Sequence, residues 1–184
     1  MPTMKDVPLS AAYFQGAASV QAHAGRGLQP WRLPHQQHYL FPSPGDSLLT
    51  KASHCSGVRL HFTSETTSIE LEHGPLAVQD PASFIRNGGE TSPHSFDVSI
   101  DGCIVANSQA NTKGGTTRID GLPAGRKTLE IWLPQASAVT LLALRIDEGT
   151  AAEIEPDSRP VWVTYGSSLT HCTRAFSPAK TWRA

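Results

Sequence analysis

Apolar and polar residues alternate along much of the chain, and the alternation predicts strands. Val58-Arg-Leu-His-Phe-Thr63, Ser68-Ile-Glu-Leu-Glu72, Phe96-Asp-Val-Ser-Ile100, Thr128-Leu-Glu-Ile-Trp-Leu133 and Leu142-Ala-Leu-Arg-Ile146 all repeat with period two. That period sends one side-chain set to a core and the other to water, as in antiparallel sheets. Turn formers fall between the runs. Asp101-Gly102 separates Phe96–Ile100 from Cys103–Ala106 and predicts a two-residue hairpin turn, while Gly121-Leu-Pro-Ala-Gly125 divides 116–119 from 127–133. Eight to ten short strands between residues 15 and 147 predict an all-β, jelly-roll-like antiparallel sandwich. Residues 75–93 and 29–44 break the alternation, the first expected as a long loop and the second as irregular, with short extended pieces.

At residue 148 the pattern changes. Residues 148–160 are acidic and proline-containing, a candidate linker, and Val161-Trp-Val-Thr-Tyr165 then predicts a buried strand running straight into Gly166-Ser167-Ser168. The expected division is therefore a sandwich over 1–147, a linker over 148–160 and the start of a second domain over 161–184. A strand feeding a small-residue turn and then a helix presents a side chain at a sheet's carboxyl edge. Serine there can be an ordinary turn residue and helix N-cap, or a nucleophile beside backbone N–H groups able to hold an oxyanion.

Composition narrows the chemistry. The 184 residues are 17% charged, with 15 glycines and 14 prolines, which suits β structure over helix. A formal net charge of −1 gives no basic footprint for nucleic acid. Three cysteines, Cys55, Cys103 and Cys172, have no metal-ligand spacing and suggest reduced thiols. With neither a signal-like leader nor a run of the ~20 apolar residues a membrane helix needs, a cytoplasmic, non-membrane protein is expected. No metal or cofactor is called for.

Tyr165-Gly-Ser-Ser-Leu-Thr170 resembles the first motif block of SGNH/GDSL serine ester hydrolases, usually Gly-Asp-Ser-Ile/Leu-Thr, and Trp162, Pro178 and Thr181-Trp182 continue the match. Upstream, Pro30-Trp-Arg-Leu-Pro34, Phe41-Pro-Ser-Pro44, Ser56-Gly-Val-Arg-Leu60, Gly121-Leu-Pro-Ala-Gly125 and Glu130-Ile-Trp-Leu-Pro134 resemble the sandwich domain that precedes some bacterial members. The resemblance implies an α/β, flavodoxin-like hydrolase domain of which only the first strand and turn are present. It implies Ser168 as nucleophile and, through its backbone N–H, an oxyanion donor. Gly166, Ser167 and Thr170 support the motif, Ser167 replacing its usual acid. The implied substrate is a small-molecule or carbohydrate ester.

The family's base and its orienting acid come from an Asp-x-x-His block far downstream, and 16 residues follow Ser168. The resemblance thus implies an incomplete site, inactive by itself. His171, three residues on, is expected to point along its helix and not back at the hydroxyl. Seven other histidines, His23, His35, His38, His54, His61, His73 and His94, lie in the sandwich region. Glu70-Leu-Glu-His73 imitates an acid-x-x-His spacing, but strand alternation puts its ends on opposite faces, and a solvated strand end is expected for His73. Gly45-Asp-Ser-Leu48 spells the family letters, yet follows two prolines with no buried strand, so Ser47 is expected in a polar loop or N-cap. The other reading is a non-catalytic module with Trp31, Tyr39 or Trp132 as sugar platforms, core packing being the alternative for each.

Overall fold

The computed structural model describes residues 3–25, 27–76, 94–164, 166–172, 175 and 177–181, together with all their side chains except those of Asp46 and Ser168. Among them eleven strands form two antiparallel sheets: β1 (Met4–Asp6), β2 (Phe14–Gln15), β3 (Ser19–His23), β4 (Gly27–Trp31), β5 (Arg59–Ser64), β6 (Ile69–His73), β7 (Ser95–Ile100), β8 (Cys103–Gln109), β9 (Gly115–Ile119), β10 (Lys127–Trp132) and β11 (Leu141–Asp147). The first sheet runs β3-β4-β11-β6-β9, with β1 also on β11, and the second β2-β5-β10-β7-β8. Apart from the β3–β4 and β7–β8 hairpins, successive strands from β3 to β11 alternate between the sheets.

Every alternating run of the sequence became a strand, within a residue or two of the expected bounds. The β7–β8 turn has both central residues at positive φ, Asp101 at 48° and Gly102 at 82°, as a two-residue hairpin requires. Facing side chains of the two sheets make the core: Leu60, Phe62, Phe96, Val98, Leu129 and Ile131 meet Ile69, Leu71, Leu144 and Ile146, all fully buried. Removing this apolar surface from water is the main force holding the sheets together.

Residues 29–44, expected to be irregular, supply the end of β4 and a 3₁₀ stretch His35–Leu40, and helix α1 (Ser47–Ser53) follows. Pro30 enters β4 because that strand pairs with β11 only at Leu28–Leu141, leaving its far end unpaired on one side. The loop expected at 75–93 lies mostly outside the described residues. Asp147 ties the end of β11 to the β5–β6 turn, its carboxylate accepting from the Thr67 N–H (2.6 Å), the Thr67 hydroxyl (2.8 Å) and the Ser68 N–H (3.1 Å). Burial pushes that carboxyl up, but these donors outweigh it and hold its pKa below the usual value.

The outward faces of the sheets differ. On the first, Glu70, Glu72, Arg118 and Arg145 form a half-buried ladder of ion pairs. On the second, His61, Thr63, Ser95, Asp97, Ser99, Glu130 and Trp132 are buried, although they occupy the polar positions of their strands. The chain after β11 bonds to Thr63, Asp97 and Glu130 among them.

Candidate functional site

The segment expected as a linker is loop, but it is not loose. Glu153 and Thr63 exchange two backbone hydrogen bonds of 2.8 and 2.9 Å, and the Tyr13 hydroxyl donates to the Ala152 carbonyl. Arg126 pairs with Glu153 and Glu155. Arg159 reaches back to Glu130 (2.6 Å) and to Asp157, whose carboxyl it holds far below the usual range. Arg59 joins this cluster through Glu130 at 3.0 Å and lies over the Trp132 ring, 4.9 Å from its centroid. The Trp132 indole N–H donates to Ser99, so this tryptophan is packed beneath a guanidinium and is no sugar platform. Trp31 is half-buried, its N–H on Gln21 and its ring edge-on to His38, while Tyr39 stands 77% exposed.

The buried strand expected at 161–165 is not formed over its described residues. Val161, Trp162 and Val163 are 90%, 74% and 84% exposed, in chain that joins no sheet. An apolar run becomes a buried strand only where a sheet receives it, and the sandwich offers this run none. The turn after it is ordered: Ser168–His171 forms one helical turn, the His171 N–H bonded to the Ser167 carbonyl at 3.1 Å. Gly166 and Thr170 meet across this turn. A Cβ on Gly166 would fall 2.0 Å from the Thr170 hydroxyl oxygen and 2.9 Å from its Cβ, so the close approach requires glycine. Ser168 begins the helical turn, and Ser167 precedes it, exposed.

The segment after Ser168 is seated on the sandwich. His171 is buried, its Nε2 donating to the Gln135 carbonyl at 3.2 Å, and its own carbonyl accepts from the Ser56 hydroxyl at 2.6 Å. The Gln135 side-chain amide donates to the carbonyls of Cys172 (2.6 Å) and Ala175 (2.8 Å). Asp97, fully buried, accepts from the Ser177 hydroxyl and from the Ala179 N–H at 2.9 Å. His171 therefore faces the sandwich through Nε2. The His54 ring lies 5.3 Å from that of His171. Burial, with His171, Lys51 and Arg32 adding to it, lowers the His54 pKa to about 3, so this imidazole is neutral.

Other sequence candidates resolve plainly. Ser47 opens α1 with the neighbouring Leu48 N–H capped by the Ser43 hydroxyl, a structural role. Glu70 and His73 do face opposite sides, but His73 is buried and not solvated. Its Nδ1 donates to the Gly74 carbonyl (2.8 Å) and its ring packs on Phe96, because position 73 falls in the inward set of β6. No group of three or more His, Cys, Asp or Glu that could hold a metal occurs among the described residues. Sequence reasoning missed Gln135, Asp97 and Ser56 as seats for the tail. The available signal was Trp132 at an outward position of β10, since a large aromatic there asks for cover.

Comparison with known proteins adds what geometry alone leaves open. Residues 12–142 match the family described as SsfX3, N-terminal domain. No curated protein sequence matches the chain significantly. Among solved structures, the salicylyl-acyltransferase SsfX3 from a tetracycline biosynthetic pathway is 30% identical, with a TM-score of 0.80 over 98% of this chain and 49% of that one. That coverage extends past the sandwich into the seated tail. A GDSL-like lipase from Bacteroides ovatus shares the fold at 14% identity, with a TM-score of 0.64 over 84% of this chain and 44% of that one. The chain spans about half the length of each.

Proposed function

Because the chain belongs to the SsfX3 N-terminal domain family, we propose that it is the front half of a serine acyl-transferring enzyme of SGNH/GDSL type, with Ser168 as its nucleophile. The observation that carries this reading is the seating of the segment after Ser168 on a sandwich whose likeness to an acyltransferase includes that segment. Ser168 Oγ attacks the carbonyl carbon of an ester, its proton passing to a base, and the Ser168 N–H helps to hold the oxyanion. The alcohol leaves with a proton, and the acyl-serine is resolved by water in an esterase or by an acceptor hydroxyl in an acyltransferase. Base and orienting acid come from a hydrolase half beyond this chain, so these 184 residues alone are inactive.

Residues 1–147 are the sandwich, 148–160 the connection and 161–184 the start of the α/β half. The order β4-β11-β6-β9 facing β5-β10-β7-β8 supports a jelly roll. The substrate is a small-molecule or carbohydrate ester, and no cofactor is needed. Three free thiols, with burial pushing Cys55 up to about 12, fit a reducing, cytoplasmic setting. No helix among the described residues is long and apolar enough to cross a membrane.

A fluorophosphonate probe tests the reading. Added to a polypeptide that continues this chain through its hydrolase half, it should label Ser168, and Ser168→Ala should abolish both labelling and acetyl-ester turnover. Unimpaired turnover in Ser168→Ala would remove the nucleophile assignment. Probe-sensitive turnover by the 184 residues alone, lost in Ser168→Ala, would overturn their inactivity.

A further inference from the structure

We infer that Gln135 is a positioning residue for the turn that carries Ser168, clamping it from the sandwich with Ser56 as its second jaw. The inference rests on Ser168 being the nucleophile only for its catalytic consequence; the clamp itself stands on geometry.

A helical turn of four residues cannot hold itself in water, because nucleation costs more than its few hydrogen bonds return. Its last carbonyls also lack partners inside the helix. In this chain the last carbonyl of the turn, and two carbonyls just after it, are capped from another part of the molecule. The Ser56 hydroxyl takes the His171 carbonyl, and the Gln135 amide takes those of Cys172 and Ala175. Gln135 contributes twice, since its own carbonyl receives His171 Nε2–H. Cys172 closes the turn at φ 54°, a left-handed conformation that a non-glycine residue keeps only when its surroundings enforce it. Gln135 is itself fixed, buried in the loop between β10 and β11, where the Ser137 carbonyl accepts the Cys55 N–H and Leu133 N–H bonds the Val58 carbonyl. The turn's C-terminal end thus takes its position from the sandwich core, and Ser168 sits three residues before the clamped His171. A sandwich used this way is part of the catalytic frame as well as a neighbour of the site.

Amide exchange on the whole chain reads the clamp directly at the N–H groups of His171 and Ala175. In Gln135→Ala, and in the near-isosteric Gln135→Glu, which loses the donor at pH 7.5, both should exchange about tenfold faster or more, with Leu60 and Ile131 in the core unchanged. Unchanged exchange at His171 and Ala175 in both variants would overturn the proposal. If core protection is also lost in the Gln135 variants, Ser56→Ala decides: faster exchange at His171 alone supports the clamp, and no change refutes it. In the polypeptide continued through its hydrolase half, Gln135→Glu should lower kcat about tenfold and leave KM nearly unchanged, since it moves the nucleophile and not a substrate contact. A rise in KM at constant kcat would instead make Gln135 a substrate-side residue and sink the positioning role. Loosened exchange without any Ser168 labelling would leave the clamp standing and remove the nucleophile reading; labelling with unchanged exchange would do the reverse.

Discussion

The outward faces of the two sheets carry similar residues and meet different surroundings. Glu70, Glu72, Arg118 and Arg145 on the first sheet are half-buried side chains that pair with one another along the surface. Asp97, Ser99, Glu130 and His61 on the second are buried, each facing chain that follows β11 or a neighbour held by it. Polarity at alternate strand positions therefore identifies a face that is not the core, and it leaves open whether water or protein covers that face. The distinction lies in how the polar groups are partnered. Exposed ion pairs contribute little, whereas a buried carboxylate must have its donors supplied. The two hydrogen bonds from the tail to Asp97 show the second sheet's outer face to be an interface.

The largest expected effect contrasts that interface with the core behind it. Phe62→Ala on the inner face of β5 should cost about 3–5 kcal/mol and unfold sandwich and tail together, since a fully buried ring leaves a cavity. Asp97→Ala on the outer face of β7 should cost about 2–3 kcal/mol. Its signature is different: Lys180, which lies in the 3₁₀ turn capped by Asp97, loses amide protection while Leu129 and Ile131 keep theirs. Thermal unfolding combined with residue-resolved exchange separates the two outcomes. Joint loss of protection in Asp97→Ala would mean that tail and sandwich form one cooperative unit, against the comparison.

The sequence made the sandwich legible because alternation is a local property, readable in five residues. Five of the seven strands from β5 to β11 stand where that period placed them, and turn residues marked off the other two, β8 and β9. β1 to β4 were harder, since Ala22, Pro30 and the short Phe14–Gln15 pair leave too little contrast between faces. At the candidate site, the motif pointed to Ser168, Gly166 and Thr170, and the contact with Thr170 supplies a physical reason for glycine at position 166. The partners of the turn were not legible. Gln135 and Ser56 lie 37 and 116 residues from Cys172, in loops where no period operates, and a capping role is defined by position in space. Val161–Val163 erred in the other direction: its apolar run is strand-like locally but has no sheet to join.

Acid should sharpen the interface further. His54 is held neutral in the folded protein, its pKa lowered to about 3 by burial and then by His171, Lys51 and Arg32. Unfolded, it binds a proton near pH 6.5. The unfolded state therefore takes up more protons as pH falls below 6.5, and stability present above that value is lost progressively toward pH 3. Discounted for partial solvent access, the loss between pH 6.5 and 5 should be about 1 kcal/mol. It should appear in melting curves that His54→Gln flattens, and first in the exchange of the neighbouring His171 amide. A pH-independent protection factor at the His171 amide over that range would show that the histidine pair does not couple seating to protonation.

The smallest effect belongs to the solvent-facing ladder, and it is the most direct check on the contrast between the faces. Arg145 joins Asp6, Glu72 and Glu70 across three neighbouring strands, at 2.8, 2.7 and 3.9 Å. Geometry alone would rank it with Asp97. Water and salt screen these charges, however, and holding long side chains in place costs rotamer entropy, so Arg145→Ala should cost below about 1 kcal/mol and less still at high salt. Denaturant melts at low and high ionic strength would measure it. A loss as large as that of Asp97→Ala, insensitive to salt, would mean that the first sheet's outer face is also covered, and the asymmetry between the two sheets would fall.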